Sequence, residues 1–307
     1  MSDSDEGKLR LRVSIGLPVY NGEQYLAQAV DSILAQDFTD FELMIVDNAS
    51  TDRSVEIATK YAAADPRVKV YRSEKNRGAA WNFNRCVSLA NGYYFKWMAH
   101  DDQLDPRWLS ECVNVMEERP DVVICYPRTL EIDSTGDVIR ELPSWCPQGA
   151  SPARRAGEVL TSHGNCRAMF GLVRLHQLVQ TELIGSYRGS DRVLLVQLAL
   201  MGSFYELREF LFRNRTHEGR SGGALRDRRV RRAFLDPTKN TRWLMPRWRV
   251  LGGYIQGFLS APVPVSDRLA ALRLLPRWVV RNRGYLVKDI VQLSRPVSFD
   301  SRESMRS

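Results

Sequence analysis

From residue 11 to about residue 130 the chain alternates two patterns of apolar positions. Short runs of consecutive apolar residues read as buried strands, and stretches with apolar residues every three or four positions read as amphipathic helices. The predicted strands are Leu11–Leu17, Phe41–Val46, Val68–Tyr71, Tyr93–Met98 and Val122–Tyr126. Tyr25, Leu26, Ala29, Val30, Ile33 and Leu34 share one helical face. Further helices are expected up to about Ala64, over about Ala79–Ala90, and from Asp105-Pro106 to about Arg119. Asp65-Pro66 and Asn91-Gly92 are stop signals. Asp105-Pro106 reads as an N-cap aspartate followed by proline at the first helical position.

Strands that alternate with single helices imply an α/β fold with a mainly parallel sheet, right-handed crossovers and helices on both faces. Ligands of such sheets bind beyond the carboxyl ends of the strands. Three polar clusters fall there: Pro18–Gly22, Asp47–Asp52 and His100–Asp102. A hairpin is expected around Ser134-Thr135-Gly136. Past Leu142 the pattern weakens: residues 143–157 read as a loop, 191–201 as an apolar helix, and Tyr205–Leu207 and Phe210–Arg213 as separate strand pieces. From about Gly222 the chain becomes rich in Arg, Trp and Leu, and proline interrupts it repeatedly.

Composition adds little to this, with 44% apolar and 26% charged residues, as in ordinary globular proteins. No run approaches the roughly 18 consecutive apolar residues of a membrane helix. The start, MSDSDEGK, lacks the layout of a signal peptide, so the expected location is the cytoplasm. Five scattered cysteines without a C-x-x-C pair read as reduced, mostly buried side chains. Charge changes the picture more. Residues 222–307 hold 18 Lys and Arg against 6 Asp and Glu, leaving the first 221 residues at −4 within a chain of net +8. The tail is therefore a separate basic surface, and the main domain is not expected to bind nucleic acid.

Asp101 and Asp102 end an apolar strand, where adjacent carboxylates repel and lose hydration. Asp105 already fills the capping post, so the pair is free for other work. Hard oxygen ligands at a strand end suit Mg²⁺ or Mn²⁺ carrying a diphosphate.

The segments VSIGLPVYNGEQYLAQAVDSILAQDFTDFELMIVDNASTDRS, NRG and ANGYYFKWMAHDD, in that order, resemble a family 2 inverting glycosyltransferase of GT-A fold. The resemblance covers about residues 11–130 and continues more weakly to about 220. It implies transfer of a sugar from a nucleoside-diphosphate donor, UDP favoured with dTDP and GDP open, to a glycan or lipid hydroxyl. Pro18, Tyr20 and Asn21 match the loop against the nucleotide, Asp47 the carboxylate on the base, and Arg77 with Asn82 further donor contacts. Asp101 corresponds to the carboxylate on ribose or sugar hydroxyls and Asp102 to the metal ligand, although the leading Asp of the commoner motif is replaced by Ala99. Asp191 matches the catalytic base, with Glu182 as fallback and helix capping as the competing role. His217 resembles a histidine that approaches the metal; Arg213 and Arg215 beside it offer a phosphate clamp, with a solvated basic loop as the favoured reading of each alone. The implied organisation is a polar tail (1–10), a nucleotide-sugar half (11–130), an acceptor-side half (131–221) and a basic helical extension (222–307). That extension mixes Trp, Leu and Arg either to pack on the domain or to meet an anionic membrane surface, peripheral at its inner face. A degenerate module that binds nucleotide sugar or membrane without turnover is the alternative.

Overall fold

The computed structural model describes residues 12–162, 166–217 and 245–293. The first half runs β1 (Val13–Val19), α1 (Leu26–Leu34), β2 (Phe41–Asp47), α2 (Ser54–Ala64), β3 (Val68–Arg72), α3 (Ala79–Leu89), β4 (Tyr94–Trp97), β5 (Gln103–Leu104) and α4 (Trp108–Glu118). The second half continues with β6 (Val122–Ile132), β7 (Val138–Glu141), α5 (Pro152–Thr161), β8 (Leu172–Arg174), α6 (Leu175–Leu178), α7 (Ser190–Met201) and β9 (Ser203–Arg215). Three helices close the described chain: α8 (Pro246–Ser260), α9 (Val265–Leu272) and α10 (Leu275–Leu293).

The strands form one sheet in the order β3-β2-β1-β4-β8-β6-β9-β5, with β7 on β6. β1 to β4 are mutually parallel, as the alternating pattern predicts. Short β8 runs antiparallel to both β4 and β6, so the carboxyl ends of β4, β6 and β9 point the same way. Every residue of β1 and β2 is buried, which is why both read as unbroken apolar runs. One face packs under α1 and α4 through Val30, Ile33, Leu109 and Cys112. The other packs under α3, α5 and α7 through Cys86, Val159 and Leu195.

That second core does not stop at α7. Val250, Tyr254 and Phe258 of α8 and Trp278 of α10 belong to it. Each such fully buried side chain is worth about 1.5–3 kcal/mol. Gly253 and Gly257, one turn apart, let α8 approach Tyr187 and Gln197 more closely than any side chain would allow. The basic extension thus packs on the domain through its inner face. No helix among the described residues is long and apolar enough to cross a membrane.

Four local expectations change. Asp105-Pro106 forms a turn ahead of α4 rather than its cap; Arg107 holds the cap position, and the Asp105 carboxylate accepts the Arg107 N–H at 3.1 Å. Within residues 143–157, expected as loop, those from Pro152 on are helical, because Pro152 starts α5 and the Ser151 side chain caps it. The two strand pieces after residue 203 are one strand, β9, whose register against β6 jumps from Leu207 to Phe210 across a bulge. The hairpin forms where expected, but β6 runs to Ile132 to reach it.

Lys96 lies fully buried in β4. Its ammonium donates to the Phe170 carbonyl at 2.6 Å and sits 3.9 Å above the centre of the Trp108 ring. Burial pushes its pKa down to about 7. The unfolded chain, with lysine near its ordinary value of about 10.4, then holds a proton that the folded chain lacks between these limits. Stability contributed by this site is full at high pH and is lost as pH falls from about 10 to 7. Urea midpoints measured at pH 7 and 9 should therefore rise for the wild type and rise less for Lys96→Met; equal rises would refute the assignment.

Candidate active site

The loops after β1 and β2 are laced together. Asn21 and Ala49 both adopt left-handed backbone, φ 52° and 63°. The Asn21 N–H donates to Ser50 Oγ at 2.9 Å, and its own Oδ1 accepts the Thr51 N–H at 2.8 Å. Gly22 donates to Ser54 Oγ at 2.8 Å. A Cβ on Gly22 would come within 2.6 Å of the His100 ring, so only glycine lets the first loop touch the acidic one. Asn48, only 2% exposed, ties in the third loop: its Oδ1 accepts the Arg77 N–H, and its Nδ2 donates to Asn76 and the Gly78 carbonyl. Three loops distant in sequence thus form one rim at the strand ends.

The two aspartates at the end of β4 have opposite surroundings. Asp102, expected to meet the metal, is the inward one at 1% exposure. Its Oδ1 accepts both Asn214 Nδ2 and the Arg215 N–H at 2.9 Å, fastening β4 to the end of β9. Asp101 is partly open, and its Oδ2 lies 3.0 Å from His217 Nε2. The His217 ring is braced by Tyr25, centroids 4.9 Å apart. Arg215, expected in a solvated loop, is fully buried. It donates to the carbonyls of Asp101, Asp133 and Ser134 and to Gln28 Oε1, while its guanidinium lies 4.5 Å over Tyr25. Arg213 is exposed. Burial lowers the pKa of neighbouring His100 against the pull of Asp101.

The remaining predicted donor contacts divide by exposure. Tyr20 presents an exposed ring, and the exposed Arg77 guanidinium lies 4.8 Å over Trp81. Pro18 is buried within β1, opposite Val46. Asp47 closes β2 at 1% exposure, with both carboxylate oxygens 3.3 Å from the Ser50 N–H. Asn82 is buried as well; its Nδ2 donates to the carbonyls of Val46 and Val19, and Oδ1 has no partner among the described residues.

Asp191 stands in the first turn of α7, whose cap is Gly189 at φ 93°. Its Oδ1 accepts the Arg192 N–H at 2.9 Å. The segment before α7 is tied to α3 by two hydrogen bonds between Asn84 and the Ile184 backbone, 2.9 and 3.0 Å. Burial, reinforced by Asp191, pushes the Cys166 thiol up to about 12. Tyr187 is also raised, by burial first and then by Glu182 and Asp191. Glu182 itself is exposed, with its N–H on Gln197.

Sequence reasoning placed Asn48 only within a polar cluster and Tyr25 only on an apolar helix face, and passed over Gln28 and Asn214. Only the last carried a usable signal, because a polar residue that keeps strand phase into a buried end needs a partner. Among the described residues no three His, Cys, Asp or Glu side chains gather as a metal site, so the Asp101–His217 pair supplies at most two ligands.

Residues 14–173 match the family model Glycosyl transferase family 2. The chain belongs to this family. Among curated relatives, the chondroitin synthase of Escherichia coli is 33% identical over 133 residues, 43% of this chain but 19% of that protein's length. Glycosyltransferase GlyG of Streptococcus pneumoniae is 34% identical over 36% of this chain and 38% of its own. The chain thus spans well under half the length of these family 2 relatives. Among solved structures, S. aureus TarS 1-349 in complex with UDP-GlcNAc superposes with a TM-score of 0.65 at 15% identity, covering 92% of this chain and 80% of that one. Identity this low carries the GT-A fold and no more.

Proposed function

We propose that this family 2 chain transfers a sugar from a nucleoside-diphosphate donor to an acceptor hydroxyl, with inversion at the anomeric carbon. The observation that carries it is the split of the acidic pair, with Asp102 consumed by the end of β9 and Asp101 left open beside His217. Mg²⁺ and Mn²⁺ are commonly held by one or two carboxylates with waters and substrate phosphates, so Asp101, with the His217 ring beside it, fits such an ion without a third protein ligand. The metal-ligand role expected of Asp102 passes in this reading to Asp101 and His217. The bound ion would offset charge on the departing diphosphate. Support for a nucleotide ligand also comes from neighbours of the same fold. One is the mannosyltransferase PcManGT from Pyrobaculum calidifontis, described in complex with GDP-Man and Mn²⁺, TM-score 0.54 and 16% identity over 92% of this chain and 74% of that one.

The residues of this chain then divide the work. The exposed Tyr20 ring and Arg77 flank the nucleotide, and Asp47 receives its base. Asn21 and Asn48 hold the loops in register through amide oxygens that accept the Thr51 and Arg77 N–H groups, while Asn82 is anchored by its Nδ2 on the Val46 carbonyl and keeps Oδ1 without a partner among the described residues. Asp191 takes the proton from the acceptor hydroxyl as that oxygen attacks. One carboxylate suffices for single displacement, because no covalent glycosyl intermediate needs a nucleophile. The acceptor is a glycan or lipid-linked hydroxyl, and UDP is the favoured nucleotide.

Melting curves with Mn²⁺ and UDP-, dTDP- or GDP-sugars test the donor. A ligand at about 100 times its Kd should add about 2.7 kcal/mol of stability, a shift of a few degrees. No shift with any donor, with or without Mn²⁺, would sink the reading.

A further inference from the structure

The outer faces of the last helices are apolar, although their inner faces already fill the core. On α8, Trp248, Gly252, Ile255 and Leu259 are all exposed and follow i, i+4, i+7, i+11 spacing. On α10, Val280, Gly284, Val287 and Val291 repeat that spacing, also exposed. Positions so spaced fall on one narrow stripe of a helix. The buried residues of α10, Leu275, Trp278, Leu286 and Asp289, lie on the opposite side. The two helices are neighbours: Trp248 Nε1 donates to the Leu286 carbonyl at 3.2 Å, and Tyr254 packs edge-on to Trp278 at 5.6 Å. Ten of the fifteen exposed large hydrophobic side chains of the described structure lie between residues 248 and 291. An apolar concentration of that kind marks a docking surface.

Charge decides the occupant. Residues 245–291 carry eight Lys and Arg against two Asp, and one of these, Asp289, is buried with its carboxylate on the Arg247 N–H. Along α10 the apolar stripe is flanked by exposed Arg277, Arg281 and Lys288 on one side and Arg283 on the other. A second copy docking by two-fold symmetry would set these positive flanks against one another. A layer of anionic headgroups complements them, while the stripe and Trp248 enter the boundary with the acyl chains. We infer that the outer stripes of α8 and α10, with their basic flanks, dock the protein onto an anionic lipid surface. The inner faces hold α8 on α7 and α10 on α8, so the membrane meets a preformed surface. This inference does not depend on the transferase reading.

Flotation of the full chain with vesicles separates the outcomes. Vesicles containing phosphatidylglycerol should capture at least about tenfold more protein than pure phosphatidylcholine, because each basic residue near the surface adds attraction to the anionic headgroups. Raising salt should release it as the charges are screened. The paired changes Ile255→Ser with Leu259→Ser, and Val280→Ser with Val287→Ser, alter exposed positions and should leave the melting temperature in place while lowering capture. Capture equal on both lipids, or none on either, overturns the inference. So does light scattering that shows a dimer dispersed by the same substitutions, which would make a second copy the occupant. The wild-type lipid and salt dependence stands as a test even if a variant folds poorly.

Discussion

Asp101→Asn and His217→Ala should each lower kcat/KM by about 10²–10³, the range for removing one group that stabilises charge in the transition state. Both should also raise the Mn²⁺ concentration needed for half-maximal rate. Asp102→Asn should behave differently. Its amide oxygen can still accept from Asn214 and the Arg215 N–H, so the turn keeps its shape, but the bonds lose their charge assistance. The expected outcome is a stability loss of about 1–3 kcal/mol with a Mn²⁺ requirement close to that of the wild type. Urea unfolding and Mn²⁺ titration of turnover on the same three variants make the comparison. If Asp102→Asn abolishes the Mn²⁺ dependence and Asp101→Asn does not, the division of roles proposed here is reversed.

That division was out of reach of the sequence, although the pair itself was plain. Two adjacent aspartates are equivalent in composition, and which one turns inward depends on the end of β9, 112 positions later for Asn214. Arg215 is a related case. An arginine in a run of charged residues reads as solvated, yet this one is sealed in by three carbonyls and an amide oxygen that satisfy a fixed fork of donors. The parallel half of the sheet was legible because β1 and β2, covered on both faces, must be continuous apolar runs. β5, with two residues, and β8, with three, are too short to show any period. α5 escaped notice because Pro152 and paired arginines read as loop, whereas the buried face of Ala156, Val159 and Leu160 has the right spacing. The extension was legible as a mix of Trp, Leu and Arg, but which apolar positions of α8 and α10 stay outside depends on the core they pack on, and that core lies in distant segments.

Asp191→Asn should lower kcat by about 10²–10⁴, the usual contribution of a positioned general base, with donor KM changed little. The substitution is a clean one. Asparagine keeps an Oδ1 that can accept the Arg192 N–H at the start of α7, so local geometry and melting temperature should hold. What disappears is the proton acceptor. A capping or dipole role predicts the reverse pattern, with stability lower by about 0.5–2 kcal/mol and turnover per folded molecule preserved. Gly189, not Asp191, occupies the cap position, which already weakens the capping account. Around this carboxylate lie Cys166, Tyr187 and Arg192, with Tyr254 of α8 close enough that the same charges act on its phenol. Helix α8, which bears one of the outward apolar stripes, therefore also walls the proposed base. An acceptor presented from a lipid surface would reach Asp191 along that wall, so Asp191→Asn should silence transfer to soluble and lipid-linked acceptors alike. Loss of lipid docking should slow the second only. Rates measured with both acceptor types, for Asp191→Asn and for Val280→Ser with Val287→Ser, distinguish a defect in proton removal from a defect in delivery.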